Sequence, residues 1–206
     1  MKGDRVTSTQ VAEHAGVSQA AVSRVFTPGA SASLKITDKV RKAATELGYR
    51  PNVLARSLIT GKTHIIGLVV AYLENQFYPE AIEKLSKILQ MHGYHVLVFM
   101  ASNDEKTNQT VIDELLDYQV DGIITASVSM SNALTARCEA AGIPIILFNR
   151  LQDDERLSGV SSDNFRGGYK LAEFLVAAGH QRIAHIAGWK GASTQRDREA
   201  GFISGL

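Results

Sequence analysis

Apolar and polar positions follow two different rhythms along this chain. Between residues 7 and 26 (TSTQVAEHAGVSQAAVSRVF) apolar side chains recur at helical spacing in two short segments separated by Gly16. Val11, Ala12 and Ala15 share one side of the first segment. Val22, Val25 and Phe26 share one side of the second, which leaves Gln19, Ala20, Ser23 and Arg24 on its outer side. The boundaries carry their own signals. Thr7 with Gln10 three residues on is a capping-box pair, Gly16 stands where a helix end often needs positive φ, and Ser18 is an N-cap for the second helix. A third helical pattern covers about residues 37–47.

Beyond Lys62 short apolar runs alternate with amphipathic stretches. The runs predict strands at 65–70, 96–100, 122–126, 143–148 and 183–186, and the stretches predict helices at 78–92, 105–118, 132–141 and 167–178. Strand and helix in strict alternation is the order of a doubly wound parallel α/β sheet. Gly93, Gly142 and Gly179 stand where three of the helices should stop. Ligands of such sheets bind beyond the carboxyl ends of the strands. The loops 72–78, 101–104, 127–131 and 149–153 are therefore where a binding site is expected.

The first rhythm suggests a chemistry. Four small or polar residues on the outer side of a helix let its backbone approach whatever lies outside, and a helix of this kind fits the major groove of DNA. An arginine fork can bond O6 and N7 of guanine together, so Arg24 is the candidate base reader, with Gln19 able to pair with adenine or a phosphate. Ser23 and Thr7 suit phosphate oxygens, which set register and carry no sequence information. Ordinary surface polarity on a small helical hairpin is the bland alternative. Charge separates the two: residues 1–62 hold ten Lys or Arg against four Asp or Glu, a net of +6, while the remainder carries −5. A whole-chain charge of +1 thus conceals a basic head on an acidic body, as expected when one segment meets a polyanion.

Other chemistries find little support. The single cysteine, Cys138, allows no internal disulfide and lies in a predicted helix, which suits a core thiol in a reducing compartment. His92 and His95 lack the further ligands a metal site needs. No apolar run approaches the length of a membrane span, and the opening MKGDRV has no hydrophobic segment for export, so a cytoplasmic location is expected. With no phosphate loop, glycine fingerprint or catalytic constellation, neither an enzyme nor a bound cofactor or metal is expected. At 206 residues with 45% hydrophobic content, the chain can bury one large domain beside a small one.

The run AGVSQAAVSRV, the third helix, and LGYRPNVLARSL at 47–58 together resemble the headpiece and hinge of the LacI/GalR family of bacterial transcription regulators. The resemblance continues through HIIGLVV at 64–70, SDNFRGGYKLAEFLVAAGHQRIAHIAG at 162–188 and RDREAGF at 196–202. It implies a helix-turn-helix headpiece at 1–50, a hinge at 51–62, and a periplasmic-binding-protein-like (type I) body, with the N-terminal effector subdomain at 63–161 and the start of a second at 162–206. The implied function is a homodimeric transcriptional regulator, a repressor or an activator with repressor the expectation, which binds a palindromic operator in double-stranded DNA and responds to a small-molecule effector such as a sugar or related metabolite. Two departures stand out: Ala21 and Thr27 replace residues that are often Thr and Asn in the family, which puts one or two phosphate contacts in doubt. The loop 28–34 is also long.

The hinge has a physical peculiarity. Residues 52–59 make about two helical turns, short of the roughly 12–15 residues at which an isolated helix becomes marginal in water, so this helix should form only when held. In the family two such helices meet in the minor groove and a leucine from each wedges into a base step. By match to ARSL that role falls on Leu58, with Ala55 allowing close approach. A linker leucine packed on the body is the alternative. For the effector, the resemblance points to Phe77 and Tyr78 for stacking and to Asn149 for a hydrogen bond. From the second lobe it points to Asp163, Thr194 and Arg198, the last because a guanidinium forks onto vicinal hydroxyls or a carboxylate. Phe77 has a plain reading as core, and Asn149 and Asp163 as cap or turn residues.

Family members run well past residue 206, so a piece of a longer protein is expected. Were these residues the whole product, Leu171, Phe174 and Leu175 would lack packing and neither stability nor a regulated response would be expected. Two alternatives to the regulator fit the same residues: a solute-binding protein without DNA activity, and a constitutive or inactive fragment.

Overall fold

The computed structural model describes residues 6–27, 29–52, 61–71, 73–101, 105–128, 131–152 and 156–206. They divide into two compact units, Met1–Gly61 and Lys62–Leu206. The expected hinge helix, with Ala55 and Leu58, lies outside the described residues except for Asn52.

Among its described residues the first unit forms three helices: α1 Ser8–Ala15, α2 Gln19–Phe26 and α3 Leu34–Leu47. Each begins on a side-chain cap. Thr7 accepts from the Gln10 amide while the Gln10 side chain accepts from the Thr7 amide at 2.8 Å, so the capping box is complete. Ser18 accepts from the Ala21 amide at 3.2 Å, and Ser33 does the same for Ile36. The Ser33 cap starts α3 three residues ahead of the predicted Thr37. The apolar pattern missed this first turn because Leu34 points to solvent. Gly16 and Gly48 end α1 and α3 with φ of 63° and 66°, a region most side chains avoid. Val11, Val22 and Val40, one from each helix, are fully buried with Ala12, Ala43 and Ala44. Phe26 and Tyr49 close the cluster with ring centroids 5.7 Å apart.

The second unit opens with β1 Ile65–Val70, followed by α4 Phe77–Met91, β2 His95–Met100, α5 Glu105–Asp117, β3 Gly122–Ala126, α6 Asn132–Ala140, β4 Ile145–Phe148 and β5 Ser158–Val160. The sheet order is β2-β1-β3-β4-β5 and every pairing is parallel, as the alternation predicts. Register places Val69 beside Thr125 and Thr125 beside Leu147. Two cores follow from the strand period of two. Val69, Ile123 and Leu147 meet Val111, Ile112 and Leu115 of α5 and Leu134 and Cys138 of α6, while Leu68, Val70 and Ala126 meet Tyr78 and Ile82 of α4. Gly67 makes room for the first core, since a Cβ there would lie 2.4 Å from Leu115 Cδ2. Burial pushes the Cys138 thiol above its ordinary value, with the nearby Arg137 charge opposing it.

Within this core the hydroxyl of Thr125 is buried and has no hydrogen-bond partner among the described residues. An unpaired buried polar group costs about 1–3 kcal/mol. Thr125→Val is therefore expected to raise stability by about 1 kcal/mol, read as a higher urea midpoint at unchanged slope. A loss of stability would mean that the hydroxyl is paired.

The start of β1 is tied down by Asp121. Its carboxylate accepts from the Thr63 amide (2.9 Å), the Thr63 hydroxyl (3.0 Å) and the His64 amide (3.1 Å), while the Asp121 amide donates to Ile65 O at 2.8 Å. The chain thus enters the sheet at a defined point just after Gly61.

Beyond β5 the chain forms α7 Asn164–Ala177 and α8 Ser193–Ser204. α7 starts at Asn164, capped by Asp163, and not at the predicted 167. The predicted strand 183–186 is not formed. No described strand lies beside it to complete a ladder, and Ile186 is 97% exposed. β5 was not predicted, because SGV carries no apolar alternation. Leu171 and Phe174 are exposed on α7. No described helix is long and apolar enough to cross a membrane.

Candidate nucleic-acid interface and effector cleft

In the first unit the four residues expected on the outer side of α2, Gln19, Ala20, Ser23 and Arg24, are all exposed, and the helix is held from behind by Val22. Gln19 Nε2 donates to Ser8 Oγ at 3.0 Å, which ties the start of α2 to α1. Arg24 Nε leans back on Ala20 O at 3.4 Å, and no acidic group pairs with its guanidinium among the described residues. The Ser23 carbonyl accepts from the Thr27 hydroxyl, and the Thr7 and Ser18 hydroxyls serve their own helix caps. A hydroxyl engaged in a cap keeps a lone pair but offers less freedom as a donor. Ala21 is buried, away from the outer face.

In the second unit the carboxyl ends of β3 and β4 bring three polar side chains together. Asn149 Nδ2 donates to Tyr78 Oη at 2.9 Å and to Ser127 Oγ at 3.0 Å, and the Tyr78 and Ser127 hydroxyls are hydrogen-bonded to each other. Tyr78 and Ser127 are buried and Asn149 is half-buried. Ser127 and Asn149 both adopt left-handed backbone, φ 59° and 71°, immediately after their strands. Asparagine tolerates that region better than serine, so the Ser127 turn stores strain of the kind often found at binding sites. Phe77 stacks on Phe148 with ring planes 4° apart and centroids at 5.8 Å, and meets Tyr78 edge-on at 5.1 Å. At 48% exposure Phe77 is a partly open aromatic face and not core.

The second-lobe candidates are more dispersed in role. Asp163 accepts from the Arg166 amide at 2.9 Å and thereby caps α7. Thr194 is half-buried in the first turn of α8. Arg198 donates through Nε to Asn164 Oδ1 at 2.8 Å. Ser161 Oγ donates to Asn149 O at 2.9 Å and accepts from Asn164 Nδ2 at 3.1 Å, so a polar chain runs from β4 to Arg198. Two further contacts join the lobes: the Leu151 amide donates to Ser193 Oγ at 3.0 Å, and the Arg150 guanidinium lies 5.1 Å over the Trp189 ring. Ser127, Ser161 and Asn164 were not singled out from the sequence. Ser127 heads a loop expected at the site, and Asn164 directly follows Asp163, so position was the available signal.

Among the described residues, a three-helix unit with an exposed polar second helix is followed by a parallel α/β lobe with a polar cluster at its strand ends, a bipartite architecture. Residues 63–206 match the model for periplasmic binding proteins and the sugar binding domain of the LacI family, and residues 9–52 match the model for bacterial regulatory proteins, lacI family. The chain belongs to the LacI family. It is 39% identical to the sucrose operon repressor of Lactococcus lactis subsp. lactis over 86% of this chain and 55% of the relative. It is 37% identical to the sucrose operon repressor of Streptococcus mutans serotype c over 95% of this chain and 60% of the relative. The lac repressor dimer bound to operator and the anti-inducer ONPF superposes with a TM-score of 0.85 at 29% identity, over 98% of this chain and 62% of that one. The chain therefore spans a little over half the length of the curated relatives it matches.

Proposed function

We propose that this protein is a sequence-specific DNA-binding transcriptional repressor that acts as a homodimer on a pseudo-palindromic operator and is regulated by a sugar or a chemically related metabolite. One observation carries the reading: Gln19, Ala20, Ser23 and Arg24 form an exposed outer face on a helix whose other side is core, within a segment of net charge +6. In this reading Arg24 reads a guanine edge, Gln19 and Ala20 sit against base edges, and Thr7, Ser18 and Ser23 lie along phosphates. Ala55 and Leu58 belong to the hinge, with Leu58 as the minor-groove wedge.

Dimerisation sets the spacing of the two headpieces. The edge strand β2 leaves Val98 and Met100 exposed, and Ile88 and Met91 are exposed on the neighbouring helix α4, an apolar border suited to a second copy. The effector is held by Phe77, Tyr78 and Asn149 from the first lobe and by Asp163, Thr194 and Arg198 from the second. A partly open aromatic face beside hydroxyl and amide groups suits a polyol with one apolar side. The sucrose repressors among the relatives make sucrose the first ligand to try. Whatever factor the ligand applies to operator affinity, the operator applies to ligand affinity.

The test is binding of the full chain to the duplex upstream of its own gene across a salt series, with and without sucrose. A linear fall of log affinity with log salt, at a slope of about −0.9 per phosphate neutralised, is expected. Binding that ignores salt, or no binding at all, would defeat the reading.

A further inference from the structure

We propose that Asn164 is a positioning residue for the effector site, holding Arg198 by Nε so that the two terminal guanidinium nitrogens stand as a fixed, end-on fork. The proposal rests on the reading of Arg198 as an effector contact. Asn164 is 5% exposed and its amide is fully engaged: Oδ1 accepts from Arg198 Nε at 2.8 Å, and Nδ2 donates to Ser161 Oγ at 3.1 Å and to Ser162 O at 2.9 Å. Its backbone amide donates to Ser162 O at 2.8 Å, which fixes the residue at the start of α7.

The backbone of Arg198 is fixed independently. A Cβ on Gly168 would lie 2.2 Å from the Arg198 carbonyl oxygen, so α8 presses its main chain onto α7 one turn from Asn164. Arg198 is thus gripped at its backbone by Gly168 and at Nε by Asn164, and what remains variable is confined to the outer end of the guanidinium. An exposed arginine normally loses much rotamer freedom when it binds. One held at Nε has lost that freedom already and can form two parallel bonds at smaller entropic loss.

Geometry narrows the ligand as well. With Nε committed to Asn164, the side-on approach through Nε and one terminal nitrogen is closed. Nη1 and Nη2 together donate to two adjacent oxygens, as in vicinal hydroxyls or a carboxylate. Through Ser161 the same chain reaches the Asn149 carbonyl at 2.9 Å. The fork and the Asn149 end of the first lobe are therefore set relative to each other before any ligand arrives.

The experiment follows the Nε–H signal of Arg198 by NMR in the full chain labelled with [15N]arginine, with Arg198→Lys identifying the resonance. The signal is expected to be protected from solvent exchange in the wild type, to exchange at least about tenfold faster in Asn164→Ala, and to stay protected in Asn164→Asp, which keeps the acceptor. Equal protection in Asn164→Ala would overturn the proposal. A second arm titrates sucrose: Asn164→Ala should weaken binding about tenfold in the wild type and hardly at all in Arg198→Lys, because one residue acts through the other. Additive losses would overturn the positioning role. Absence of sucrose binding to the wild type would count against sucrose as effector, and the NMR arm would still decide on Asn164.

Discussion

Replacing Gly201 with alanine is expected to destabilise the second unit by about 3 kcal/mol, the upper range for overpacking, and to loosen Arg198 at the same time. On an ordinary exposed helix the same change would stabilise by up to about 1 kcal/mol, since glycine is a poor helix former. The sign reverses here because a Cβ at Gly201 would lie 1.9 Å from the carbonyl oxygen of Phe165 and 2.7 Å from its carbon. Both are backbone atoms, so no side chain can swing aside and the two helices must part. Gly205 repeats the contact on Tyr169 O at 2.6 Å, which makes the whole inner edge of α8 a surface for α7. Gly167 provides the control. It lies in α7 with nothing within 4 Å, so Gly167→Ala should gain about 0.5–1 kcal/mol. Chemical denaturation of the two variants decides the matter, and a Gly201→Ala protein as stable as Gly167→Ala would show that the helices do not touch.

Arg24→Ala is expected to cost about 1–3 kcal/mol in operator affinity and to relax selectivity at one base pair. The fold should be untouched, because Arg24 is exposed and its Nε bonds within its own helix, to Ala20 O, while the fully buried Val11, Val22 and Val40 hold the unit. Arg24→Lys separates charge from geometry: it keeps the cation and loses the planar fork. Selectivity should fall while much of the nonspecific affinity remains. Equal weakening by Arg24→Ala on every sequence would place the guanidinium on a phosphate.

Local features were readable in advance and long-range ones were not. The Thr7 and Gln10 pair, the Ser18 cap and the positive φ of Gly16 are decided by residues within four positions of each other, and all three are present as expected. The α3 start was misplaced because its cap, Ser33, sits in a run of small polar residues and its first apolar residue, Leu34, faces solvent. Gly167 and Gly168 read as the entrance to a helix, yet they lie inside α7. Gly168 is there because Arg198, thirty residues on, lies against it, and no local pattern reports that. The strand expected at 183–186 had the right composition and lacks a described neighbour, which composition cannot supply. At the site, Tyr78 and Asn149 were named separately, and only the folded sheet reveals Ser127 as the group that joins them. Asp163 proved to cap a helix, and its neighbour Asn164 takes the guanidinium.

The central claim is that the outer face of α2 reads base edges through Arg24, and selection of duplexes from a randomised oligonucleotide pool by the intact protein tests it most directly. The wild type should enrich a two-fold symmetric motif containing a guanine in each half, and Arg24→Ala should lose preference at that guanine alone. Recovery of no motif by the wild type, or of the same motif by both proteins, would contradict it.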